Sequence, residues 1–379
     1  MRYAHRGGIR LKKNHAKPYA SWLAGEVKSE QREYTQPVKL LAGDGTLLAP
    51  GWARRMLFDY EREKTVPFHR LKEWEFYQVS NGRYVAQFNI AKLAVGGMVN
   101  AALIDLSKPG KGEAVNSVVL FFGSQNCSLP AKGDVPGGVK FSPKGIGRAD
   151  FEIDTKTGSR TLYYRSKAKG REVEVRFDMD IPDNLENITT VLPFKGKPTR
   201  FFMTMKQNCM PCLGTFRFGD ETVEFSKDDT FCCVDWGRVN APYRLVWYWG
   251  NGSTYLYDEN GGKHIFGFEI TWGIGDESAA TETCLFYDGR AHKFGAVDVE
   301  VFPKSCGYMN PWHFISEDGR FDMTMTPVYD HHSDVNLFVM RMNCHQVHGR
   351  WNGTVILDDG TKLDIKDMAA FCEYAENRW

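Results

Sequence analysis

The sequence predicts an almost entirely β protein that is divided into two consecutive barrel-like domains. Hairpin patterns recur on both sides of residue 200, and the pattern of a long amphipathic helix is missing. Aromatic residues make up 13% of the chain and glycine contributes 37 residues, a mixture that favours short strands joined by tight turns. The chain has 379 residues, which exceeds the length that a single hydrophobic core usually supports. This length indicates two domains.

The first clear hairpin joins residues 74–80 to residues 83–90. Asn81-Gly82 lies between the two stretches, and this dipeptide supplies the positive φ angles that a type I′ turn needs. Further along, residues 173–179 alternate strictly between apolar and charged side chains. Because neighbouring side chains of a strand point to opposite faces, this alternation predicts a strand with one buried and one wet face.

Three more hairpins are predicted after residue 200. They pair residues 215–218 with 222–225, 314–315 with 321–325, and 354–357 with 362–365, each across a turn that contains glycine. Residues 52–62 are the one stretch that could supply a turn or two of helix. Strands are therefore expected in both halves of the chain.

Proline and glycine mark the middle of the chain. Three prolines and a glycine fall within residues 181–200, so this segment is the predicted connection between the domains. We therefore expect a basic N-terminal arm over residues 1–35, an N-terminal barrel domain over residues 36–195 and a C-terminal barrel domain over residues 196–379.

The overall charge and the hydropathy of the chain argue against nucleic acid and membranes as partners. Lys plus Arg (48) nearly equals Asp plus Glu (47), so no overall field attracts nucleic acid or an acidic membrane surface. The arm carries six Lys and Arg before its first acid, Glu26, and is interpreted as solvated, with a targeting sequence or an anion-contacting arm as alternatives. No apolar run is long enough for an integral membrane segment. Nine cysteines without a secretion signal predict reduced thiols and a cytoplasmic protein.

Two groups of residues are candidate metal sites. The first is a set of four thiols, Cys209, Cys212, Cys232 and Cys233. The second is a thiol with four imidazoles, Cys344, His331, His332, His345 and His348. Cys232 and Cys233 are adjacent on a strand and point to opposite faces, so they are poorly placed to complete a tetrahedral thiolate site. The spacing of the histidines favours a position at the edge of a sheet. We expect no metal and, without a phosphate loop or dinucleotide motif, no cofactor.

The densest chemistry lies between residues 234 and 249. Asp235-Trp236-Gly237-Arg238 precedes an aromatic run that ends in Trp247-Tyr248-Trp249. Trp247 and Trp249 share one face of this second strand, and Tyr248 takes the other. Aromatic walls with a few convergent polar groups are typical of small-molecule sites. The alternative is a core strand in which Asp235 and Arg238 form a buried structural pair.

Three residues are candidates for catalysis, Asp235, Glu282 and Arg238. Glu282 is a second carboxylate on a strand expected to neighbour Asp235, and its alternative is an exposed strand glutamate. Indole walls would raise the pKa of Asp235 towards neutrality, whereas the Arg238 guanidinium would keep it ionised. The candidate substrate-binding residues are Trp236, Trp247, Trp249, Tyr248 and Trp74.

Several motifs in order resemble the uncharacterised family catalogued as domain of unknown function 2804. They are Gly51-Trp52-Ala53-Arg54, Tyr60-Glu61-Arg62-Glu63, Lys72-Glu73-Trp74-Glu75-Phe76-Tyr77, Asp235-Trp236-Gly237-Arg238, Phe371-Cys372-Glu373 and Asn377-Arg378-Trp379. The resemblance covers nearly the whole chain beyond residue 35. The resemblance implies no particular activity.

More distantly, an Asp-Trp block followed by an aromatic strand is similar to the two-domain calycin-like proteins, which include AttH-like proteins, carotenoid hydratases and pericyclase-type cyclases. This similarity implies tandem lipocalin-like antiparallel barrels with a pocket where they meet. Val234 and Gly237-Arg238 depart from the hydratase pattern around the acid, so only Asp235 can be matched.

These observations lead to three functional hypotheses. The first is a cofactor-independent acid/base enzyme, a hydratase (lyase), isomerase or cyclase, that acts on a largely apolar small molecule at the domain junction, with Asp235 as proton donor. The second is a carrier of a lipid or isoprenoid that performs no chemistry. The third is a glycan-active lyase or hydrolase, which would need Asp235 and Glu282 on either side of one bond.

Overall fold

The structure, a computed structural model, describes residues 29–378 apart from 94–95, 111–112, 122–126, 133–136, 142–149, 157, 169, 301–302 and 338–339. Most of the described residues lie in strands that pair antiparallel in two large sheets, so the predicted all-β architecture is confirmed. The basic stretch up to residue 28 lies outside the described residues. Within them, no helix is long and apolar enough to cross a membrane.

The first sheet is built from the N-terminal part of the chain. Its strands are β2 (Gly51–Ala53), β4 (Leu71–Ser80), β5 (Tyr84–Leu93), β6 (Gly96–Asp105), β7 (Glu113–Phe121), β8 (Cys127–Ser128), β9 (Gly137–Phe141), β10 (Asp150–Lys156), β11 (Ser159–Ala168), β12 (Arg171–Asp180), β13 (Ile188–Phe194), β14 (Lys197–Phe218), β15 (Glu221–Phe225) and β16 (Phe231–Asn240). Short parallel strands β1 (Val38–Lys39) and β3 (Phe58–Asp59) pair separately. Two 3-10 turns, Arg62–Lys64 and Phe68–Arg70, precede β4.

The second sheet follows in the chain. Its strands are β17 (Arg244–Tyr257), β18 (Lys263–Trp272), β19 (Glu282–Tyr287), β20 (Arg290–Lys293), β21 (Val297–Val299), β22 (Trp312–Ser316), β23 (Phe321–Leu337), β24 (Met340–Ile356) and β25 (Lys362–Arg378). A single helical turn, α1 (Pro303–Cys306), precedes β22.

Both sheets curl on themselves. In the first sheet the edge strand β7 contacts β11, and in the second sheet the edge strand β21 contacts β18. Large side chains fill each interior, such as Phe88 with Phe177 in the first sheet and Phe314 with Trp351 in the second. The protein therefore has two barrel-like bodies with packed cores.

The two bodies meet through faces that carry hydrogen-bonded polar side chains. Gln87 lies on the first sheet and Gln346 on the second, and their side-chain amides are hydrogen-bonded across the junction. Asn208 of β14 likewise accepts a hydrogen bond from Asn251 of β17. Alternation along each strand places these polar side chains on the junction face, which they share with aromatic rings, and turns the intervening apolar side chains into the barrels.

The predicted hairpins are confirmed. β4 pairs with β5 across Asn81-Gly82, β14 with β15, β22 with β23, and β24 with β25. The alternation over residues 173–179 is also confirmed, because the apolar side chains of β12 are buried and the charged ones are not.

One expectation about chain organisation is wrong. The chain enters the second sheet between Asn240 and Arg244 rather than after residue 195, because the proline- and glycine-rich segment forms the hairpin turn from β13 to β14 within the first sheet. The stretch over residues 52–62 that could have supplied a helical turn instead contains β2 and β3, since β2 pairs with β13, and one 3-10 turn begins at Arg62.

Candidate functional site

Strand β16 carries the Asp-Trp-Gly-Arg motif and lies between β14 and β4 in the first sheet. Asp235 is opposite Lys206 of β14 on one side and opposite Phe76 of β4 on the other. Side chains that are directly opposite on neighbouring strands point to the same face of the sheet. Asp235, Lys206 and Phe76 therefore share the face that is turned towards the second sheet.

Lys206 is the centre of a buried charge cluster. Its Nζ lies 3.0 Å from a carboxylate oxygen of Asp235, 3.8 Å from Glu269 and 3.9 Å from Glu282. Asp235 comes from the first sheet, whereas Glu269 on β18 and Glu282 on β19 come from the second. One ammonium group thus joins carboxyl groups from both bodies, and we call these four residues the Lys206 cluster.

The side chain of Glu269 is held by three donors. Trp249 Nε1 donates to Glu269 Oε1 over 2.6 Å, and the Thr271 hydroxyl donates to the same oxygen over 3.1 Å. Asn251 Nδ2 donates to Glu269 Oε2 over 2.9 Å. Glu282 accepts a hydrogen bond from the hydroxyl of Thr204 on the first sheet. The cluster is therefore held by neutral hydrogen-bond donors as well as by charge.

Burial and mutual repulsion set the protonation of the cluster. Burial, with smaller contributions from Glu282 and Asp235, raises the pKa of Glu269 to about 8, and the Lys206 charge offsets this rise only in part. The pKa of Glu282 is raised for the same main reason. Burial alone would lower the pKa of Lys206, but the three carboxyl groups raise it above its usual value. At neutral pH the cluster thus combines a charged ammonium with a largely protonated Glu269.

Aromatic rings line the cluster on the junction side. The Lys206 ammonium lies 4.2 Å from the ring centre of Trp249, and Phe76 packs edge-on against the same indole at 5.4 Å. Trp247, which shares the face of Trp249, donates from Nε1 to Glu373 over 2.7 Å. Trp74, Phe76 and Trp247 remain partly exposed. An apolar ligand could therefore contact these rings next to Asp235, whose side chain is 10% exposed.

Gly237 provides the space for Trp74. A Cβ atom at position 237 would lie 2.1 Å from Cζ2 of the Trp74 ring, because Trp74 and Gly237 are directly opposite each other on β4 and β16. No other residue type fits without moving the indole, which explains the glycine of the Asp-Trp-Gly-Arg motif.

Arg238 and Trp236 do not contact Asp235. Both point into the first barrel, where the Arg238 guanidinium lies over the Trp236 ring at 4.2 Å and its Nε lies 3.2 Å from Glu73. The suggested Asp235–Arg238 pair is therefore wrong, because residues three apart on a strand face opposite sides. The ion-pair partner of Asp235 is Lys206.

Tyr248 also points away from the junction. It packs inside the second barrel, where its ring stacks on Trp272 with centres 4.5 Å apart. Of the residues predicted from sequence, the structure brings together Asp235, Glu282, Trp247, Trp249 and Trp74 at the junction. It places Arg238, Trp236 and Tyr248 in the two cores.

The sequence reasoning missed Lys206, Glu269 and Glu373. Lys206 and Glu269 each interrupt a run of residues that are otherwise buried and mostly apolar. A charged residue in such a run is rarely tolerated without a partner, and this signal could have identified both. Glu373 is buried on β25 and accepts hydrogen bonds from Trp247, Gln346 and the thiol of Cys344.

The thiols and imidazoles form no metal centre in the part of the chain that the structure describes, where no group of three or more His, Cys, Asp or Glu could hold an ion. Cys209, Cys212, Cys232 and Cys233 are buried free thiols, and burial raises the pKa of each. His345 is hydrogen-bonded to Asp330 and stacked on His332.

Comparison with known proteins supports the family resemblance. The family model described as "Domain of unknown function (DUF2804)" matches residues 31–379. No curated protein matches the sequence. Among solved structures, a protein described as an AttH from Nitrosomonas europaea is similar at 12% identity, with a TM-score of 0.44 over 82% of this chain and 92% of that one. Kievitone hydratase from Nectria haematococca is similar at 11% identity, with a TM-score of 0.41 over 81% of this chain and 88% of that one.

Proposed function

We propose that this chain, which belongs to the DUF2804 family, is an enzyme that transfers protons to and from a small molecule at the junction of its two sheets. The observation that carries the proposal is the burial of a single ammonium group, Lys206, among three carboxyl groups. The reaction classes that fit are hydration, isomerisation and cyclisation, all of which need an acid and a base but no redox cofactor.

The charge balance of the cluster distinguishes it from a structural ion pair. One ammonium can neutralise one carboxylate, and two further ionised carboxylates would be strongly disfavoured in a buried site. The cluster avoids this cost by keeping a proton on Glu269, whose pKa of about 8 lies close to physiological pH. A group that titrates near the working pH can both give and take a proton efficiently.

Each residue of the cluster has a role in this proposal. Asp235 is the member that lies beside the partly exposed rings of Trp74 and Phe76, and it exchanges a proton with the ligand. Glu269 and Glu282 hold the proton that restores Asp235. The Lys206 ammonium stabilises negative charge that develops on the ligand, as preorganised cations do in other enzymes.

The packed interiors argue against a carrier that holds its ligand inside a barrel. Trp236 fills the first interior, and Trp272, Trp312 and Trp351 fill the second, each less than 2% exposed. Lipocalin-like carriers place an apolar ligand in such an interior. The partly exposed rings and the titratable groups lie instead at the junction, which favours a ligand with an apolar body bound there.

Deuterium incorporation tests the proposal while the substrate is still unidentified. The full-length protein is incubated in D₂O with small molecules extracted from its source cells, and mass spectrometry identifies compounds that gain deuterium on carbon. We expect incorporation or loss of water with the wild-type protein and none with Glu269→Gln or Asp235→Asn. Glu75→Gln is the matched control, because Glu75 is a buried carboxyl of the same sheet that points into the first barrel.

Folding of each variant is checked by urea unfolding before the assay. If Glu269→Gln and Asp235→Asn both fold and process the same compound as fast as the wild type, the Lys206 cluster is not catalytic. If no compound in the extract reacts with the wild type but one is retained in native mass spectrometry, the carrier hypothesis replaces the enzyme.

A further inference from the structure

A small recess lies between the two sheets, close to the Lys206 cluster. Its polar lining comes from Gln78 and Ser80 on β4, Asn251 and Ser253 on β17, and His348 on β24. The space open to the centre of a water molecule is about 20 Å³, and the recess is partly open on one side. A site needs roughly 10–15 Å³ on this measure to hold one water, so the recess has room for a single oxygen-sized group with an exit to one side.

His348 is the most informative residue of the lining. It is 1% exposed, and its Nε2 has no hydrogen-bond partner among the residues that the structure describes. A buried polar atom that is left unpaired costs roughly 1–3 kcal/mol, so such atoms in native proteins are usually satisfied by a water or a ligand. The recess beside His348 is where such a group would fit.

The side chains that line the recess favour an uncharged ligand group. Burial, with a smaller contribution from His331, lowers the pKa of His348 to about 3, so its imidazole is uncharged at neutral pH. The other polar side chains of the recess are amides, hydroxyls and the thiols of Cys232 and Cys233. A charged ligand atom would lose its hydration here without meeting an opposite charge, whereas a neutral oxygen can accept from or donate to either form of the imidazole.

The recess lies next to the Lys206 cluster, because two of its lining residues adjoin members of the cluster. Asn251 lines the recess and also donates to Glu269, and Cys233 of the lining lies two residues before Asp235 on the same face of β16. A group bound in the recess would therefore be a neighbour of the reacting centre. We propose that the recess is a subsite for a neutral oxygen of the ligand, a hydroxyl or a carbonyl, which displaces a water that occupies the subsite at rest. Only the assignment to the ligand rests on the proposed function.

Methanol is a suitable probe, because it presents one hydroxyl and is small enough for the recess. Crystals of the wild-type protein are compared with and without methanol at high resolution. Without methanol we expect an ordered oxygen within about 3.2 Å of His348 Nε2. With methanol we expect its hydroxyl oxygen at that position, and its methyl group towards the open side.

Two variants and one gas provide controls. His348→Phe fills the recess and should abolish both the water and the methanol, whereas His348→Gln keeps a polar group and should retain them. If His348→Phe does not fold, the positions of water and methanol in crystals of the wild type and His348→Gln still test the proposal. Xenon occupies apolar, dry cavities, so wild-type crystals under xenon pressure should show none in the recess.

The proposal is overturned if no ordered oxygen lies near Nε2, if xenon binds in the recess, or if methanol leaves the water in place. None of these measurements involves turnover. A failed deuterium assay with a methanol-occupied recess would therefore refute the acid/base function and leave the neutral-oxygen subsite standing.

Discussion

The protonation of Glu269 should be visible in the stability of the protein. The folded protein holds a proton on Glu269 up to about pH 8, because burial raises its pKa from an ordinary value of 4.5. The unfolded chain releases that proton at the ordinary value. Between these two values the folded state binds more protons than the unfolded state, so the contribution of Glu269 to the free energy of unfolding falls as pH rises.

The expected magnitude follows from the same linkage. One bound proton corresponds to about 1.4 kcal/mol per pH unit, so the contribution falls by up to about 5 kcal/mol from about pH 4.5 to about pH 8. Glu269→Gln cannot ionise and should lose this slope. At low pH the variant should be less stable by about 1 kcal/mol, the usual value of one hydrogen bond. The wild type loses about 1.4 kcal/mol per pH unit above about pH 4.5, so above about pH 5.5 the variant should be the more stable protein.

Urea unfolding followed by tryptophan fluorescence at several pH values measures this difference. Groups outside the Lys206 cluster titrate too, including Lys293, whose pKa burial lowers to about 7, but these groups are common to both proteins and cancel in the difference. Trp249→Phe is the control, because it removes one hydrogen bond to Glu269 and keeps the carboxyl group. That variant should keep the slope. If the free energy of unfolding changes with pH in the same way for the wild type and Glu269→Gln, the pKa of Glu269 is not raised. The proposed role of Glu269 in holding a proton for Asp235 would then be refuted.

Three further predictions concern β16. Asp235→Asn should lower the melting temperature by less than ten degrees, because Lys206 keeps two other carboxyl groups within 4 Å, and thermal melting checks this; a larger fall would make Asp235 structural. Gly237→Ala should cost about 1–3 kcal/mol and alter the fluorescence of Trp74, since the added Cβ overlaps the ring. Arg238→Met should cost about 3–5 kcal/mol in urea unfolding by breaking a buried ion pair, yet leave deuterium incorporation intact in protein that folds.

A glycine without neighbours provides the comparison for Gly237. A Cβ at Gly43 would meet no atom within 4 Å, so Gly43→Ala should leave both stability and tryptophan fluorescence nearly unchanged. Equal losses for Gly43→Ala and Gly237→Ala would show that the ring of Trp74 does not require the glycine.

Local patterns in the sequence determined the strands and the faces of their side chains. Asn81-Gly82 sets the hairpin of β4 and β5 because only a few residues accept the φ angles of the turn. The period of two along a strand separated Trp247 and Trp249 from Tyr248, as the structure shows. The same period applied to Asp235 and Arg238, three residues apart, would have placed them on opposite faces.

The arrangement of the strands in space was decided only by the tertiary structure. The proline- and glycine-rich segment in the middle of the chain contains a hairpin turn of the first sheet, and no local sequence signal distinguishes such a turn from a linker between domains. The Lys206 cluster draws on strands β14, β16, β18 and β19, whose contact depends on how the two curled sheets pack. In the sequence, the apolar run around Glu269 indicates only that this glutamate has a partner. Its protonation near neutral pH follows from burial beside two other carboxyl groups, and burial is a property of the packed protein rather than of the residue.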